Sequence, residues 1–350
     1  MTHPSTGDMA INTSLLDVSV NTELDTNLSI SDPSFLNPSS GQSGSKQLAP
    51  PSTMDASDQM QEITTRSEPL NQSPQPKNST PIQHLPTRET YNAWASVYDT
   101  DGNILQAIDD LSLSTLLPEF LTQVLSSSSS STLNILDLGC GTGRNTAKLL
   151  TYPWPTDKLV NVHGVDFSRK MLDIAERKLR GAKEQWSPSI HKLGLECTDA
   201  FNDDSGNEVF FPALQLHAII STLVAEHIPL ETYFRALAEL LPREGSCALI
   251  TNMHQEMGQL SQAGFVTSEG VKIRGTSYVH SVEDMMEEAM RWGFEVLGVN
   301  ERRVEKGDLG KGGIGKRGEK WVKLGVNVWF GIVLKRIGSG GKEGGGGGMK

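Results

Sequence analysis

Three glycines, each separated from the next by one residue, follow an apolar run in this 350-residue chain. The run spans residues 133–138, the glycines are Gly139, Gly141 and Gly143, and helical spacing of apolar residues begins just after them. Glycine permits a sharp turn and a close approach of the backbone to a ligand. The free N–H groups at the start of a helix attract an anionic group. The segment therefore predicts a strand–turn–helix unit that holds a ligand.

Short apolar runs alternate with amphipathic stretches over most of the chain. Strands that alternate with helices imply right-handed crossovers and a mostly parallel sheet covered on both faces. We therefore predict an α/β, doubly wound (Rossmann-like) fold with a mostly parallel seven-stranded sheet and an N-terminal helical extension. The last two strands are expected to follow each other without a helix, through a surface loop, and to pair antiparallel. The predicted strands are 133–138, 159–165, 190–197, 214–221, 246–252, 294–303 and 321–334, the helices are 104–123, 145–151, 169–179, 230–241 and 282–292, and the loop is 306–320.

The first 85 residues have a composition that disfavours a packed core. They hold nine acidic and three basic residues, fifteen serines, nine prolines and one aromatic residue, Phe35. Such a segment cannot bury enough apolar surface to offset the entropy lost on ordering. We predict a disordered, acidic, Ser/Pro-rich tail over residues 1–85, one folded domain over residues 86–337 and a disordered Gly-rich tail over residues 338–350.

The charge balance of the chain excludes some partners. Acidic residues outnumber basic residues 42 to 31, and the net charge is −11 at pH 7. This balance repels phosphate backbones and anionic lipids, so neither a nucleic acid nor a membrane is an expected partner. The chain also has no long apolar span and no basic segment followed by an apolar one at its N-terminus. We predict a cytoplasmic protein, and the sequence leaves its oligomeric state open.

Two classes of cofactor are held by glycine turns of this kind. The Gly-x-Gly-x-x-Gly turn of dinucleotide folds requires a glycine where this chain has Arg144, and Asp137 would repel a pyrophosphate. The pattern Asp-x-Gly-x-Gly-x-Gly instead resembles motif I of the class I S-adenosylmethionine-dependent methyltransferases. The resemblance implies that Asp137 binds the ammonium group of the cofactor. It also implies that backbone amides of the turn, which includes Gly139, Gly141, Thr142 and Gly143, meet the cofactor carboxylate.

The same resemblance assigns cofactor contacts along the following strands. Asp166 ends the second predicted strand, where it would bind both ribose hydroxyls, and Asp199 and Ala200 follow the third strand, where they would contact adenine. For Met171 and Tyr98, which would pack on adenine and line the cofactor site, an ordinary place in the core stays open. Thr222 ends the fourth strand, which in the family lies beside the methionine part of the cofactor and the acceptor.

A metal ion is not expected. Some relatives have Glu-x-x-Glu-His after the fourth strand and bind a divalent metal, but this chain has Leu223 at the first position of that motif. Cys140, Cys197 and Cys247 form no metal-ligand spacing, which favours buried thiols in a reducing compartment.

A closer resemblance begins upstream of the glycines. Tyr91-Asn-Ala-Trp94-Ala-Ser-Val-Tyr98-Asp99 is similar to the Tyr-x-x-Trp-Ala-x-x-Tyr-Asp opening of many small-molecule methyltransferases. Together with Thr-Asn-Met-His at 251–254 and Ser-Gln-Ala-Gly-Phe at 261–265, it resembles fungal methyltransferases associated with secondary metabolism. The likeness covers residues 88–336. It implies methylation of a small-molecule acceptor, a fungal secondary metabolite or its precursor, on oxygen or nitrogen by in-line displacement.

Two histidines are candidates for contact with the acceptor. His227 follows the fourth predicted strand and His254 follows the fifth, so both belong to the edge of a parallel sheet where ligands bind. An imidazole is suited to removing a proton at neutral pH, although a histidine at a strand end is often structural. Two alternatives to an active methyltransferase stay open: a non-catalytic regulator that binds the cofactor and, less favoured, a dinucleotide-dependent oxidoreductase.

Overall fold

The computed structural model describes residues 81–202 and 215–337. Most of the predicted acidic tail, the predicted Gly-rich tail and the first residue of the predicted fourth strand lie outside the described residues. The strands are β1 (Ile82–His84), β2 (Thr132–Leu138), β3 (Leu159–Asp166), β4 (Ile190–Cys197), β5 (Ala218–Thr222), β6 (Cys247–Met253), β7 (Gly264–Val266), β8 (Lys272–Arg274), β9 (Phe294–Arg303) and β10 (Asn327–Arg336). The helices are α1 (Thr87–Trp94), α2 (Ile104–Ser127), α3 (Arg144–Thr151), α4 (Arg169–Gly181), α5 (Leu230–Leu240), α6 (Gln255–Gly258), α7 (Val282–Arg291) and α8 (Lys316–Leu324).

Seven strands form the central sheet, in the order β4-β3-β2-β5-β6-β10-β9. The first five are parallel to one another, and β10 runs antiparallel to both of its neighbours. The predicted doubly wound, mostly parallel sheet with an N-terminal helical extension is therefore confirmed. Because β2, β3 and β5 pair in parallel, the residues that follow them meet at one edge of the sheet.

The sheet is covered on both faces because its strands alternate their apolar side chains between two clusters. Leu133 and Ile135 of β2 pack with α2, α3 and α4 on one face. Leu136 and Leu138 pack with α5 and α7 on the other face. Asp137 falls between these residues on the face of α3, which places its carboxylate under the glycine turn at the end of the strand.

A second, three-stranded sheet, in the order β1-β8-β7, was not predicted from the sequence. Its strand β1 pairs with β8 in parallel, so a strand lies within the predicted tail of residues 1–85. Phe265 of β7 and Ile273 of β8 form a third apolar cluster with Trp94 and Met171. The rings of Trp94 and Phe265 stack 5.4 Å apart. This sheet therefore holds α1 against α4.

The final crossover differs from the prediction. The chain between β9 and β10 is not a plain loop, since α8 spans Lys316–Leu324 where the sequence predicted the end of a loop and the start of a strand. Trp321 is buried on one side of α8, and Gly325 ends the helix with a φ of 67°. β9 and β10 nevertheless pair antiparallel, as predicted. Within residues 81–202 and 215–337, no helix is long and apolar enough to cross a membrane.

Candidate functional site

A cavity of about 210 Å³ opens at the carboxyl ends of the parallel strands. Its floor comes from the residues that end or follow β2, β3, β4 and β5, and its opposite wall comes from α1 and the segment after it. The lining residues are Thr87, Tyr91, Tyr98, Leu138, Gly139, Gly141, Val165, Asp166, Phe167, Thr198, Asp199, Ala200, Phe201, Thr222, Leu223, Val224, His227 and Ile228. Of the predicted site residues, the cavity thus brings together Tyr98, Gly139, Gly141, Asp166, Asp199, Ala200, Thr222 and His227.

The glycine turn connects β2 to α3 through three positive φ angles. Gly139, Gly141 and Gly143 have φ of 78°, 53° and 77°. Residues other than glycine rarely adopt this backbone region. A Cβ on Gly139 would collide with the Val224 side chain, whereas a Cβ on Gly141 would have nothing within 4 Å. Since Gly141 lines the cavity, its missing side chain leaves open space for a ligand.

The amides of this turn are used inside the protein. The N–H of Gly141 donates to Asp166 Oδ2 over 2.9 Å, and the N–H of Gly143 donates to the Cys140 carbonyl over 2.8 Å. The expectation that these two amides meet the cofactor carboxylate is therefore not supported. Gly143 instead lets α3 and α4 approach, because its Cβ would lie 3.0 Å from Leu179. Thr142 is also outside the lining, and its hydroxyl donates to Asp99 over 2.6 Å.

Asp137 is buried at the end of β2 and does not line the cavity. Its Oδ2 accepts a hydrogen bond of 2.6 Å from the Thr146 hydroxyl, while its Oδ1 has no partner among the described residues. Burial raises the pKa of this carboxyl to about 6, although the Thr146 hydrogen bond opposes the rise. A buried carboxylate oxygen without a partner is an acceptor that a cationic ligand group would satisfy. The ammonium-binding role that the motif implies stays a prediction, since this oxygen is unpartnered but the carboxylate does not line the cavity.

Asp166 ends β3 and faces the cavity directly. Its Oδ1 accepts the N–H of Ser168 over 2.8 Å, and its Oδ2 accepts the N–H of Gly141 over 2.9 Å. These bonds fix the carboxylate, and each oxygen keeps capacity to accept a ligand hydroxyl. Burial raises the pKa of Asp166 to about 6, since the two backbone bonds only partly offset the loss of water. The geometry fits a group that binds two neighbouring hydroxyls.

Asp199 and Ala200 follow β4 on the same side of the cavity. Arg88 of α1 forms an ion pair of 3.4 Å with Asp199. Thr222, at the end of β5, accepts a hydrogen bond of 2.8 Å from the Asn145 side chain. Tyr98 closes the cavity from the opposite wall, and burial raises its pKa to about 12, so the phenol is protonated. These four residues therefore surround the space that Asp166 faces.

His227 lies in the 3₁₀ turn after β5 and lines the cavity. Its Nε2 is 2.7 Å from the Tyr91 hydroxyl, and its Nδ1 is 2.8 Å from the Thr276 carbonyl. Burial lowers the pKa of His227 to about 4, although the Thr276 bond opposes the fall. The imidazole is therefore neutral at pH 7.

Two further predicted contacts are also outside this cavity, His254 and Met171. His254 is 2% exposed and caps α6, because its Nδ1 accepts the N–H of Glu256 over 3.1 Å. Its Nε2 lies 2.8 Å from Glu301, so both ring nitrogens are occupied and contact with the acceptor is not supported. Met171 is fully buried in the cluster with Trp94, which is the core alternative that the sequence left open.

Several lining residues were not assigned from the sequence. Tyr91 stands in the aromatic opening motif, yet nothing in the motif indicates that its hydroxyl reaches His227. Phe167 and Phe201 each directly follow a predicted site residue in the sequence. This position next to Asp166 and Ala200 is the sequence signal that could have identified them as lining residues. Leu223 has a φ of 59°, and strained positions of this kind concentrate at functional sites, but only the structure reveals the angle. Within the described parts of the chain, no group of three or more His, Cys, Asp or Glu side chains could hold a metal ion.

A parallel sheet whose strands end in glycines and carboxylates around one cavity is the arrangement of α/β enzymes that bind a nucleoside cofactor. Residues 136–247 match a family model described as a methyltransferase domain. The chain is also 40% identical over 268 residues to an uncharacterized methyltransferase of Emericella nidulans, and the match covers 72% of this chain and 91% of that protein.

Similar solved structures include the DhpI–SAH complex, with 16% identity, a TM-score of 0.46 and coverage of 72% of this chain and 95% of that one. Another is an S-adenosylmethionine-dependent methyltransferase of Clostridium acetobutylicum, with 17% identity, a TM-score of 0.44 and coverage of 71% and 99%. On the family match and the fungal relative, the chain belongs to the class I S-adenosylmethionine-dependent methyltransferase superfamily. It is a methyltransferase, and its cofactor is S-adenosylmethionine.

Proposed function

We propose that this methyltransferase acts on a small molecule, a fungal secondary metabolite or its precursor, and methylates it on oxygen or nitrogen. The observation that carries the proposal is the cavity of about 210 Å³, in which an imidazole and a phenol face the same space as the carboxylate of Asp166. Small-molecule sites are concave, mostly apolar and supplied with a few polar groups. The resemblance of the aromatic opening motif to fungal methyltransferases supports the metabolite class.

The residues of the chain have separate tasks in this proposal. Asp166 binds the ribose hydroxyls of the cofactor, and Asp199 and Ala200 contact its adenine. Asp137 accepts a hydrogen bond from its ammonium group. Tyr98 lines the sulfonium side, where an aromatic ring attracts a cation. S-adenosylmethionine, when bound, supplies a methyl group on a positively charged sulfur. The protein then has to align the acceptor with that carbon, and such alignment is worth about 7–11 kcal/mol.

The deciding experiment supplies the purified protein with S-adenosylmethionine carrying an isotopically labelled methyl group and with a fungal metabolite extract. Mass spectrometry should find metabolites that gain one labelled methyl group, together with release of S-adenosylhomocysteine. The matched control is Asp166→Ala, which should weaken cofactor affinity by about 1.5–3 kcal/mol because it removes a charged hydrogen-bond partner.

Three outcomes would contradict parts of the proposal in different ways. Cofactor binding without release of S-adenosylhomocysteine from any extract would favour the non-catalytic regulator. Label appearing only on proteins or nucleic acids would contradict the small-molecule acceptor. A labelled metabolite that also forms with Asp166→Ala at wild-type cofactor affinity would contradict the assignment of the ribose site.

A further inference from the structure

The Tyr91 hydroxyl and the His227 imidazole meet at the wall of the cavity from distant parts of the chain. Tyr91 lies on α1 and His227 lies in the turn after β5, yet the hydroxyl is 2.7 Å from Nε2. The two rings contact edge to face, with centroids 5.2 Å apart and an interplanar angle of 81°. Both residues line the cavity. This pair was not assigned from the sequence.

The hydrogen-bond partners fix where the protons of this pair are. The Thr276 carbonyl, 2.8 Å from Nδ1, can only accept, so Nδ1 carries the imidazole proton. Because burial lowers the pKa of His227 to about 4, the ring is neutral and Nε2 has a free lone pair. Tyr91 must therefore donate its hydroxyl proton to Nε2. Burial raises the pKa of Tyr91 well above its ordinary value, so the phenol keeps that proton in the resting site.

This arrangement limits what the Tyr91 oxygen can bind from the cavity. A phenol has one proton, and His227 receives it, so the oxygen offers only lone pairs to another partner. A ligand group at this oxygen must therefore be a hydrogen-bond donor. An acceptor heteroatom that carries a proton, as in a hydroxyl or an N–H group, meets this requirement, whereas a thioether or a tertiary amine does not.

We propose that Tyr91 is a further catalytic residue, which takes the proton of an O–H or N–H acceptor while it passes its own proton to His227. This inference rests on the proposed function. The acceptor X–H bond breaks as its proton moves to the Tyr91 oxygen, and the Tyr91 proton moves to Nε2, which leaves an imidazolium. The electron pair of X forms the bond to the methyl carbon, and the bond from that carbon to sulfur breaks with its pair on sulfur. After the methylated product leaves, Nε2 returns its proton to the Tyr91 oxygen, and Tyr91 releases the acceptor proton into the cavity, which restores the resting site.

Glu226 lies beside the hydrogen bond between Tyr91 and His227. Its Oε1 is 3.5 Å from His227 Nε2, and its side chain is 3% exposed. Its Oε2 has no hydrogen-bond partner among the described residues. A carboxyl group at this position stabilises positive charge on the imidazole when it is ionised. Burial raises the pKa of Glu226 to about 8, so this carboxyl is protonated at neutral pH and can stabilise the imidazolium only at higher pH.

The kinetic test compares Tyr91→Phe with Tyr152→Phe, which removes the hydroxyl of a tyrosine outside the cavity. With the acceptor found by the labelling experiment, Tyr91→Phe should lower kcat by about 100-fold or more, the ordinary contribution of a proton acceptor. Its cofactor affinity should match that of Tyr152→Phe, whereas its melting temperature should be lower because Nε2 of His227 loses its hydrogen-bond partner. The loss should shrink for acceptor analogues with more acidic X–H groups. A kcat within about threefold of wild type, or a loss independent of acceptor acidity, would overturn the relay.

A second measurement does not need the acceptor. In nitrogen NMR of the imidazoles, Tyr91→Phe should shift the Nε2 resonance of His227 and leave its protonated Nδ1 unchanged, because only the hydrogen bond to Nε2 is lost. An unmoved Nε2 resonance overturns the relay, whether or not an acceptor is known. If Tyr91→Phe shows the shift and the wild type binds the cofactor but methylates no small molecule, the proposed function fails and the relay fails with it, although the hydrogen bond between Tyr91 and His227 stands.

Discussion

Gly139 and Gly141 share a positive φ but differ in what surrounds them. We expect Gly139→Ala to cost about 2–4 kcal/mol of unfolding free energy, because a left-handed backbone and a collision with Val224 add together. Gly141→Ala should cost only the backbone strain, about 1–2 kcal/mol. Its methyl group would point into open space, so cofactor affinity should fall by about tenfold or more. Urea unfolding and titration calorimetry of both variants measure the two effects.

The comparison between these variants provides its own control. If Gly141→Ala keeps wild-type cofactor affinity, the open space beside it is not part of the cofactor site. If Gly139→Ala unfolds at the same urea concentration as wild type, then Val224 moves aside at little cost.

Glu226 makes stability depend on pH in a direction opposite to that of most carboxylates. Burial raises its pKa from 4.5 to about 8, so the folded protein holds this proton in a range where the unfolded chain has released it. The unfolded state then binds fewer protons, and this group makes stability fall as pH rises from about 4.5 to 8. Glu226→Gln should flatten the fall, so its stability relative to wild type should be higher at pH 8 than at pH 5.

Chemical unfolding at the two pH values measures this difference. Glu239→Gln, which changes an exposed carboxylate on α5, is the matched control and should leave the pH dependence of wild type unchanged. If the unfolding free energies of wild type and Glu226→Gln change equally between the two pH values, then Glu226 does not have a raised pKa in the folded protein.

The site was predictable from sequence where a residue type and its position decide the role. Asp166 follows from an acid at the end of a parallel strand, and Gly141 follows from the spacing of the turn. The pair of Tyr91 and His227 does not follow, because it depends on how α1 docks across more than a hundred residues of chain. His254 satisfied the same strand-end rule as His227, but the structure uses it as a helix cap.

At the scale of elements, α2 is joined to the glycine-turn helix by buried charges. Asp109 of α2 is fully buried and pairs with Arg144 at the start of α3 over 2.6 Å. Its Oδ1 also accepts hydrogen bonds from Thr251 of β6, over 2.6 Å, and Trp329 of β10, over 2.8 Å. Arg144 stands where a dinucleotide fold would have its third glycine. The Arg144 side chain therefore binds α2 of the N-terminal extension to α3, which packs on the sheet.

We expect Asp109→Asn to lower the unfolding free energy by about 2–4 kcal/mol. The substitution keeps an oxygen for Thr251 and Trp329 but leaves Arg144 with only its second partner, Asp110, and breaking a buried ion pair ordinarily costs about 3–5 kcal/mol. Glu176→Gln removes an exposed ion pair with Arg180 and should cost less than about 1 kcal/mol. Equal losses in urea unfolding would contradict the role assigned to Asp109.

Elements with a long periodic pattern were predictable, and the short ones were not. The bounds of β4 and β9 agree with the prediction, and the side chains at the start of β9 alternate between more buried and more exposed positions. The three residues of β1 carry no period, and they become a strand only by pairing with β8. The helix α8 was missed because the apolar residues after Lys320 resemble one long strand. The left-handed conformation of Gly325 separates α8 from β10, and the sequence alone does not reveal that conformation.

At the scale of the whole molecule, the buried residues of the three apolar clusters in the described parts of the chain fall within residues 94–334, and the composition of residues 1–80 disfavours a core of their own. We therefore expect a chain trimmed to residues 81–337 to keep its melting temperature within about 3 °C, which corresponds to less than about 1 kcal/mol for a domain of this size. Its cofactor affinity should equal that of the full chain. Differential scanning calorimetry and a cofactor titration check both. A drop of about ten degrees would mean that a removed segment contributes to the fold.

The parallel pairing of β1 with β8 also sets an order of events during synthesis. β1 and α1 leave the ribosome before the central sheet is made, but their partner strand follows β6, late in the chain. β2, β3 and β5, whose ends form the cavity floor, are complete before that strand exists. The wall that carries Tyr91 is thus made before the cavity floor but can dock through β8 only after β6 has been made, so we expect the nascent enzyme to have an open cofactor crevice while β2 to β6 are synthesised.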